Sequence, residues 1–307
     1  MIRGYCKEYG IKMLLATGAT RILRKIGGNG LAEKYEPAKY QYIINWVDKN
    51  YGEVAERIAG ENGVERKIEP NCNIWIFWWQ GEKSMPPVVR ACYKSVLKHK
   101  ENHKVVLVTR DNVKEYVDIP EQIYTLASKE KISITHLSDV VREHILYQQG
   151  GIWMDATLYM TAPFDVSIYQ YEYYSLKGAF KIWPWTSFFQ ASGKGNVQPR
   201  IVSELFRAYL SDHDNLLTYL LLDCFIAIAC QKSLTARQQI ELMPVVDASV
   251  FELNDHYLEE SFSECVFKKI KEKSNIHKLS YKYPHSEESG GEKTFWGYLV
   301  EEGKQSR

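Results

Sequence analysis

The chain has 307 residues, which allows one large domain or one domain with helical additions, and its 45% hydrophobic content is enough for a sizeable core. A net charge of +1 leaves no overall field to draw nucleic acid. Aromatic residues make up 13%, a supply that suits stacking on flat or sugar-like ligands and equally fills cores.

The first thirty residues are locally basic: Arg3, Lys7, Lys12, Arg21, Arg24 and Lys25 against Glu8 give +5, interleaved with Ile11, Met13, Leu14, Leu15, Ile22 and Leu23. The simpler reading is a docking helix with a solvated basic face. The alternative is peripheral contact with an anionic membrane surface. Helical spacing continues through AKYQYIINWVDKNYGEVAERIAG and stops at Gly60, so residues 1–70 read as an N-terminal helical segment ahead of an α/β domain over 71–307.

The first strand is Asn73 to Trp79, NIWIFWW, rich in β-branched and aromatic residues. Pro86-Pro87 opens a helix to about Lys100. A second strand, Lys104 to Thr109, follows, and Asp111 is placed to cap a short helix. Strand–helix–strand–helix order predicts an α/β fold with a mostly parallel sheet flanked by helices. Next come a helix over 137–149, a Gly150-Gly151 break and a strand over 152–158. Further strands are expected at 171–176 and 187–191. From Pro199 the pattern is helical, over 199–211, 215–231, 235–242 and 249–272. It is followed by an extended piece at 276–283, a polar loop HSEESGGEK and a final amphipathic turn.

The run Leu216 to Cys230 is too short to cross a bilayer and carries Asp223, so it reads as a buried helix in which that acid is a structural partner or, as the alternative, an acceptor-side base. The six cysteines show no CxxC pair and no zinc-site spacing, and fit reduced thiols in a cytoplasmic protein. No cleavable secretory leader is evident.

The densest chemistry lies in SDVVREHILYQQGGIWMDAT, residues 138–157. Asp139 and Arg142 are three apart and so neighbours on a helix. Alone they would read as a surface ion pair. Open α/β sheets bind ligands beyond the carboxyl ends of their strands, where Asp155 is placed. In an extended strand Asp155 and Thr157 share a face. A carboxylate and a hydroxyl together can hold a hard cation or a ribose.

With its S-D-x-x-R and G-G-I-W-M-D-A-T elements, this passage resembles the core motif of the glycosyltransferases of family 32, and is most similar to the branch of capsular polysaccharide synthesis proteins. NIWIFWWQG, PPVVRACYKSVLKHKENHKVVLVTRDN, WPWTSFFQASGKGN and IHKLSY resemble flanking blocks, so the likeness spans about residues 73 to 285. It implies a GT-A-like nucleotide-sugar-binding fold with N- and C-terminal helical additions. The implied enzyme is a retaining glycosyltransferase, of hexosyltransferase class, that moves a sugar from a nucleoside diphosphate donor to a glycan or lipid-linked glycan hydroxyl in capsular or other surface polysaccharide synthesis.

Carried over, Trp78 matches the ring that stacks on the base, Asp139 and Arg142 the pair on the donor sugar and phosphate, and Asp155 the first acid of a DxD motif, near the ribose and a divalent cation (Mn2+ or Mg2+). The second acid is Thr157 here, as in the capsular branch. That removes one negative charge, and metal affinity is expected to fall unless another carboxylate compensates. Departure of a nucleoside diphosphate needs charge neutralisation, for which a metal, Arg142, and Lys278 or Lys282 of the basic IHKLSYK segment are the candidates. His277 is a further candidate for the diphosphate or a metal; the alternative for it and for Lys278 is a satisfied terminal segment. Trp183 and Trp185 are candidates for an acceptor platform or for packing. The missing acid also motivates a second reading, a non-catalytic nucleotide- or carbohydrate-binding member of an assembly complex.

Overall fold

Helix α1 (Ile11–Ala59) grows from the longest amphipathic repeat in the chain. Tyr40, Ile43, Val47, Tyr51, Ala55 and Ile58 recur every three or four residues and all are buried. The helix runs past Pro37, which lacks the N–H that would bond back along it, and ends where Gly60 N donates to Glu56 O at 3.0 Å. This is a computed structural model; it describes residues 9–61, 63, 65–178, 182–246, 248–283 and 285–305. Of the predicted basic N-terminal run, Arg3, Lys7 and Glu8 lie outside the described residues.

In chain order the remaining elements are β1 (Ile74–Phe77), α2 (Pro87–His99), β2 (Val105–Val108), α3 (Val113–Tyr116), α4 (Glu121–Ser128), α5 (Ile134–Gln148), β3 (Gly151–Met154), β4 (Leu158–Met160), β5 (Tyr173–Ser175) and β6 (Phe189–Ser192). They continue with α6 (Val197–Asp212), α7 (Leu221–Lys232), α8 (Leu234–Leu242), α9 (Glu264–Lys273), β7 (Ile276–Lys278), β8 (Glu288–Ser289), β9 (Glu292–Lys293) and α10 (Phe295–Lys304).

The chain forms two compact units. The first comprises Met1–Gly63, Pro120–Glu143 and Val197–Gln238. Within it α1 packs on α6 and α7. Aromatic rings fill the contact, with Tyr51 and Tyr209 centroids 5.8 Å apart and Phe206 and Phe225 4.8 Å apart. Lys232 ties α7 to α1 through Asp48 at 2.9 Å and Glu56 at 2.7 Å. Asp223 is buried in the first turn of α7, where unpaired backbone N–H groups and the peptide dipole favour a carboxylate.

The second unit comprises Val64–Ile119, His144–Asn196 and Gln239–Arg307 and holds the sheet. Its strand order is β2-β1-β3-β6-β5. β1 is parallel to both β2 and β3, while β6 is antiparallel to β3 and β5, so four strands share a direction and one opposes. All four residues of β1 are buried, as expected of a strand covered on both faces. Helices α2 and α10 pack on each other, and α2 also covers β4. Ile74, Ile76, Val89, Val96, Ile152, Met154, Phe189, Phe295 and Leu299 belong to one buried cluster. β4 and β7 form a separate antiparallel pair. The mostly parallel sheet flanked by helices is the predicted architecture, and it is compatible with a GT-A-like fold.

Several local expectations change. Asp111 is not the cap of α3: Asn112 holds that position, and its Oδ1 accepts from Thr109 N at 2.7 Å. The helix expected over 249–272 is a 3-10 turn (Ala248–Phe251), a π turn (Leu253–Tyr257) and then α9, started afresh by Ser263, whose hydroxyl accepts from Val266 N. The polar loop forms a hairpin, β8–β9, turned by Gly290 and Gly291 at φ of 60° and 84°.

Candidate functional site

The position of the site is set by Gly150 and Gly151. Their φ values are +68° and +108°, and a Cβ would meet Lys194 N at 2.7 Å in the first case and Asn73 O at 2.6 Å in the second, so neither position admits a side chain. The indole N–H of Trp75 donates to Gly150 O at 2.8 Å and locks the break against β1. β3 therefore starts at a fixed point, in parallel register with β1 (Ile74↔Ile152, Trp75↔Trp153), and the carboxyl ends of the two strands lie side by side.

The expected strand over 152–158 stops at Met154. Asp155 N donates to Phe188 O at 2.9 Å, and Leu158 N closes a turn onto Asp155 O at 3.0 Å before β4 begins. Asp155 and Thr157 are thus brought together by a turn rather than by the alternation of a strand. Across β4, the register Leu158↔Lys278 and a bond from Leu279 N to Thr157 O at 2.9 Å bring the segment after α9 alongside.

Lys278 Nζ donates to Asp155 Oδ2 at 2.9 Å and to Thr157 Oγ1 at 2.8 Å. Trp153 Nε1 donates to the other carboxylate oxygen, Oδ1, at 3.2 Å. The ammonium also lies 5.1 Å from the centroid of the Phe188 ring. Lys278, a cation, reaches one carboxylate oxygen and Trp153, a neutral donor, reaches the other. Side-chain exposures of 28% for Asp155 and 22% for Lys278 leave the pair accessible to a ligand.

Trp78 follows β1. Its indole N–H donates to Ser84 Oγ at 2.9 Å, and its ring meets Tyr281 edge-on at 5.6 Å. Tyr281 is three residues past Lys278 and exposed. Trp79 instead stacks with Phe77 at 5.9 Å, so adjacent tryptophans take different partners, as alternation requires. Trp153 and Phe188 were not singled out from sequence. Trp153 had a usable signal, standing two residues before Asp155 on a strand; Phe188 had none, because its contact with Lys278 spans the fold.

His277 is not part of this cluster, contrary to expectation. Neighbours along a strand point to opposite sides, and with Lys278 turned to Asp155, His277 is fully buried opposite Tyr159. Its Nε2 is 3.5 Å from Thr161 Oγ1, and burial lowers its pKa to about 4. Trp183 and Trp185 do not present a free platform: both are buried and stack on each other at 5.2 Å.

In the first unit, Arg142 and Asp139 pair at 3.1 Å on α5, with side chains only 4% and 15% exposed. The guanidinium is buried and the carboxylate half-buried, unlike the solvated surface pair that spacing alone suggests, and a guanidinium so placed is fixed in orientation.

The residues proposed from sequence for a divalent cation do not fit one. An ammonium stands between Asp155 Oδ2 and Thr157 Oγ1, the two oxygens a metal would need, and His277 faces away. Among the described residues no three His, Cys, Asp or Glu side chains converge as a metal-holding group.

Over residues 24–299 the chain matches the family model described as capsular polysaccharide synthesis protein. It is 32% identical over 110 residues to the O-glycosyltransferase braB of Annulohypoxylon truncatum, an alignment covering 33% of this chain and 26% of that protein. The chain therefore spans about a quarter of the length of the curated relative it matches.

Proposed function

The chain belongs to the capsular polysaccharide synthesis protein family, and on that premise we propose that it is a glycosyltransferase whose nucleoside diphosphate sugar binds at Asp155, Thr157 and Lys278. The acceptor is a glycan or lipid-linked glycan hydroxyl, and the product a surface polysaccharide or its precursor. The observation that carries the reading is the Asp155 carboxylate, held by Trp153 and Lys278 at the carboxyl end of β3 beside that of β1. That is where open α/β sheets take phosphorylated ligands.

In transfer the bond from the anomeric carbon to the phosphate oxygen breaks, and its electron pair stays on the diphosphate. The acceptor oxygen bonds to the anomeric carbon, and its proton leaves to a phosphate oxygen or to water. The chain's own residues supply orientation and charge. Asp155 accepts from the donor's ribose hydroxyls, the Trp78–Tyr281 corner offers a ring to the base, and Lys278 faces the charge that develops on the leaving group. Retention of configuration and the hexosyl class rest on the family resemblance. The test is a panel of nucleoside diphosphate sugars, followed for thermal stabilisation and for donor hydrolysis or transfer.

A second contact rests on α1. Ile11, Leu15, Ile22 and Ile26 are 67%, 65%, 59% and 77% exposed. At 100° per residue they fall within a sector of about 60°. Met13 and Thr20, on the opposite side, are buried. Lys12 and Lys25 are also exposed, and the first thirty residues carry +5. An apolar row with cationic neighbours matches an anionic lipid surface, and we assign α1 to peripheral contact with one. No helix among the described residues is long and apolar enough to cross a membrane.

A further inference from the structure

We infer that Lys278 takes the place of the divalent cation in donor binding, so that nucleotide binding and leaving-group departure proceed without added metal. The inference rests on the donor-site reading above and adds to it the source of the neutralising charge.

Two acids and a divalent cation sum to zero. One acid, Asp155, one neutral hydroxyl, Thr157, and one ammonium also sum to zero. The loss of the second acid is thereby matched by a cation of half the charge at the same oxygens. With an aspartate at 157, Lys278 would face two carboxylates and leave one uncompensated. With threonine the balance closes.

Geometry supports the same assignment. Lys278 is fixed by its backbone, through the register Leu158↔Lys278 and the bond from Leu279 N to Thr157 O, and so is in place before any ligand arrives. An ammonium has three protons. Two are directed at Asp155 Oδ2 and Thr157 Oγ1, leaving one for a phosphate oxygen, and the side chain is still 22% exposed. Lysine binds phosphate as a point charge, and preorganised charge aimed where the leaving group develops its own needs no rearrangement during reaction. The step balances without redox chemistry. The anomeric C–O bond breaks with its electron pair moving to the phosphate oxygen, while Lys278 keeps its proton and neutralises the new charge. The acceptor's proton goes to the departing diphosphate or to water.

The experiment is calorimetric binding of UDP, GDP, CDP, ADP and TDP to the whole protein, in excess EDTA and again in excess Mn2+. One of them is expected to bind with dissociation constants within about threefold of each other in the two conditions. Lys278→Met should weaken that binding by about tenfold or more in EDTA, with no rescue by Mn2+. Thr157→Asp, which leaves the lysine in place, should make binding respond to Mn2+. Binding by the wild-type protein in Mn2+ but not in EDTA overturns the substitution of metal by Lys278 while upholding the donor site. Binding in neither condition overturns the donor site, and with it this inference.

Discussion

Asp155 and Lys278 are 123 positions apart in the chain, and their charged atoms are 2.9 Å apart in the fold. The pairing depends on two short strands: β4, which begins three residues after Asp155, and β7, which ends on Lys278. The carboxylate proposed to hold the donor and the cation proposed to receive its phosphate are therefore set by one backbone register.

His277, one residue away, carries a pH dependence of its own. Burial holds its imidazole neutral down to a pKa of about 4, against 6.5 when exposed. Between those values the unfolded chain binds the extra proton, so stability falls as pH drops from about 6.5 towards 4 and is unaffected by this group above that window. The loss at pH 5 amounts to about 2 kcal/mol. Urea unfolding of the wild type and His277→Gln at about pH 7 and pH 5 should show the variant losing less stability on acidification. Equal losses would mean that the imidazole is not held neutral.

Gly151→Ala should destabilise the second unit by about 2 kcal/mol or more, because the new methyl meets Asn73 O at 2.6 Å and Trp75 Nε1 at 2.7 Å at a φ of +108°. Chemical unfolding followed by tryptophan fluorescence measures it. A change under about 0.5 kcal/mol would show that the approach of β3 to β1 is looser than described.

The lipid contact of α1 predicts that the protein co-sediments with vesicles rich in phosphatidylglycerol, and much less with phosphatidylcholine vesicles. Leu15→Asp with Ile22→Asp should abolish binding while leaving the buried side of the helix, Met13 and Thr20, untouched. Unchanged sedimentation of the double variant would remove the apolar row from the contact. Self-association lost in the variant, with no vesicle binding by the wild type, would identify a second copy of the chain as the partner.

Much of this organisation was legible in the sequence, for local reasons. The β-branched and aromatic run at 73–79, the Pro86-Pro87 start and the Gly150-Gly151 break each act within a few residues, and each placed its element to within a few positions. The split of 249–272 was not legible, because Ser263 restarts a helix inside a continuous apolar pattern. At the site, motif and position pick out Asp155 and Thr157 as candidates, but the two meet through a turn rather than through strand alternation. In the sequence, only a basic neighbourhood marks Lys278. Its bond to Asp155 depends on the β4–β7 register, which periodicity does not encode, and the same register turns His277 away. The depth at which the Asp139–Arg142 pair is buried was likewise invisible to spacing.

Asp155 gives the most direct test of the account. A panel of nucleoside diphosphate sugars should reveal one that the purified wild-type protein hydrolyses or transfers to a glycan acceptor. Asp155→Asn should reduce that rate by about a hundredfold or more through misplacement of the donor. Removing this partly exposed ion pair should change the unfolding free energy by only about 1 kcal/mol. Full activity in Asp155→Asn, or a wild-type protein that neither turns over nor is stabilised by any nucleotide sugar, would contradict the assignment.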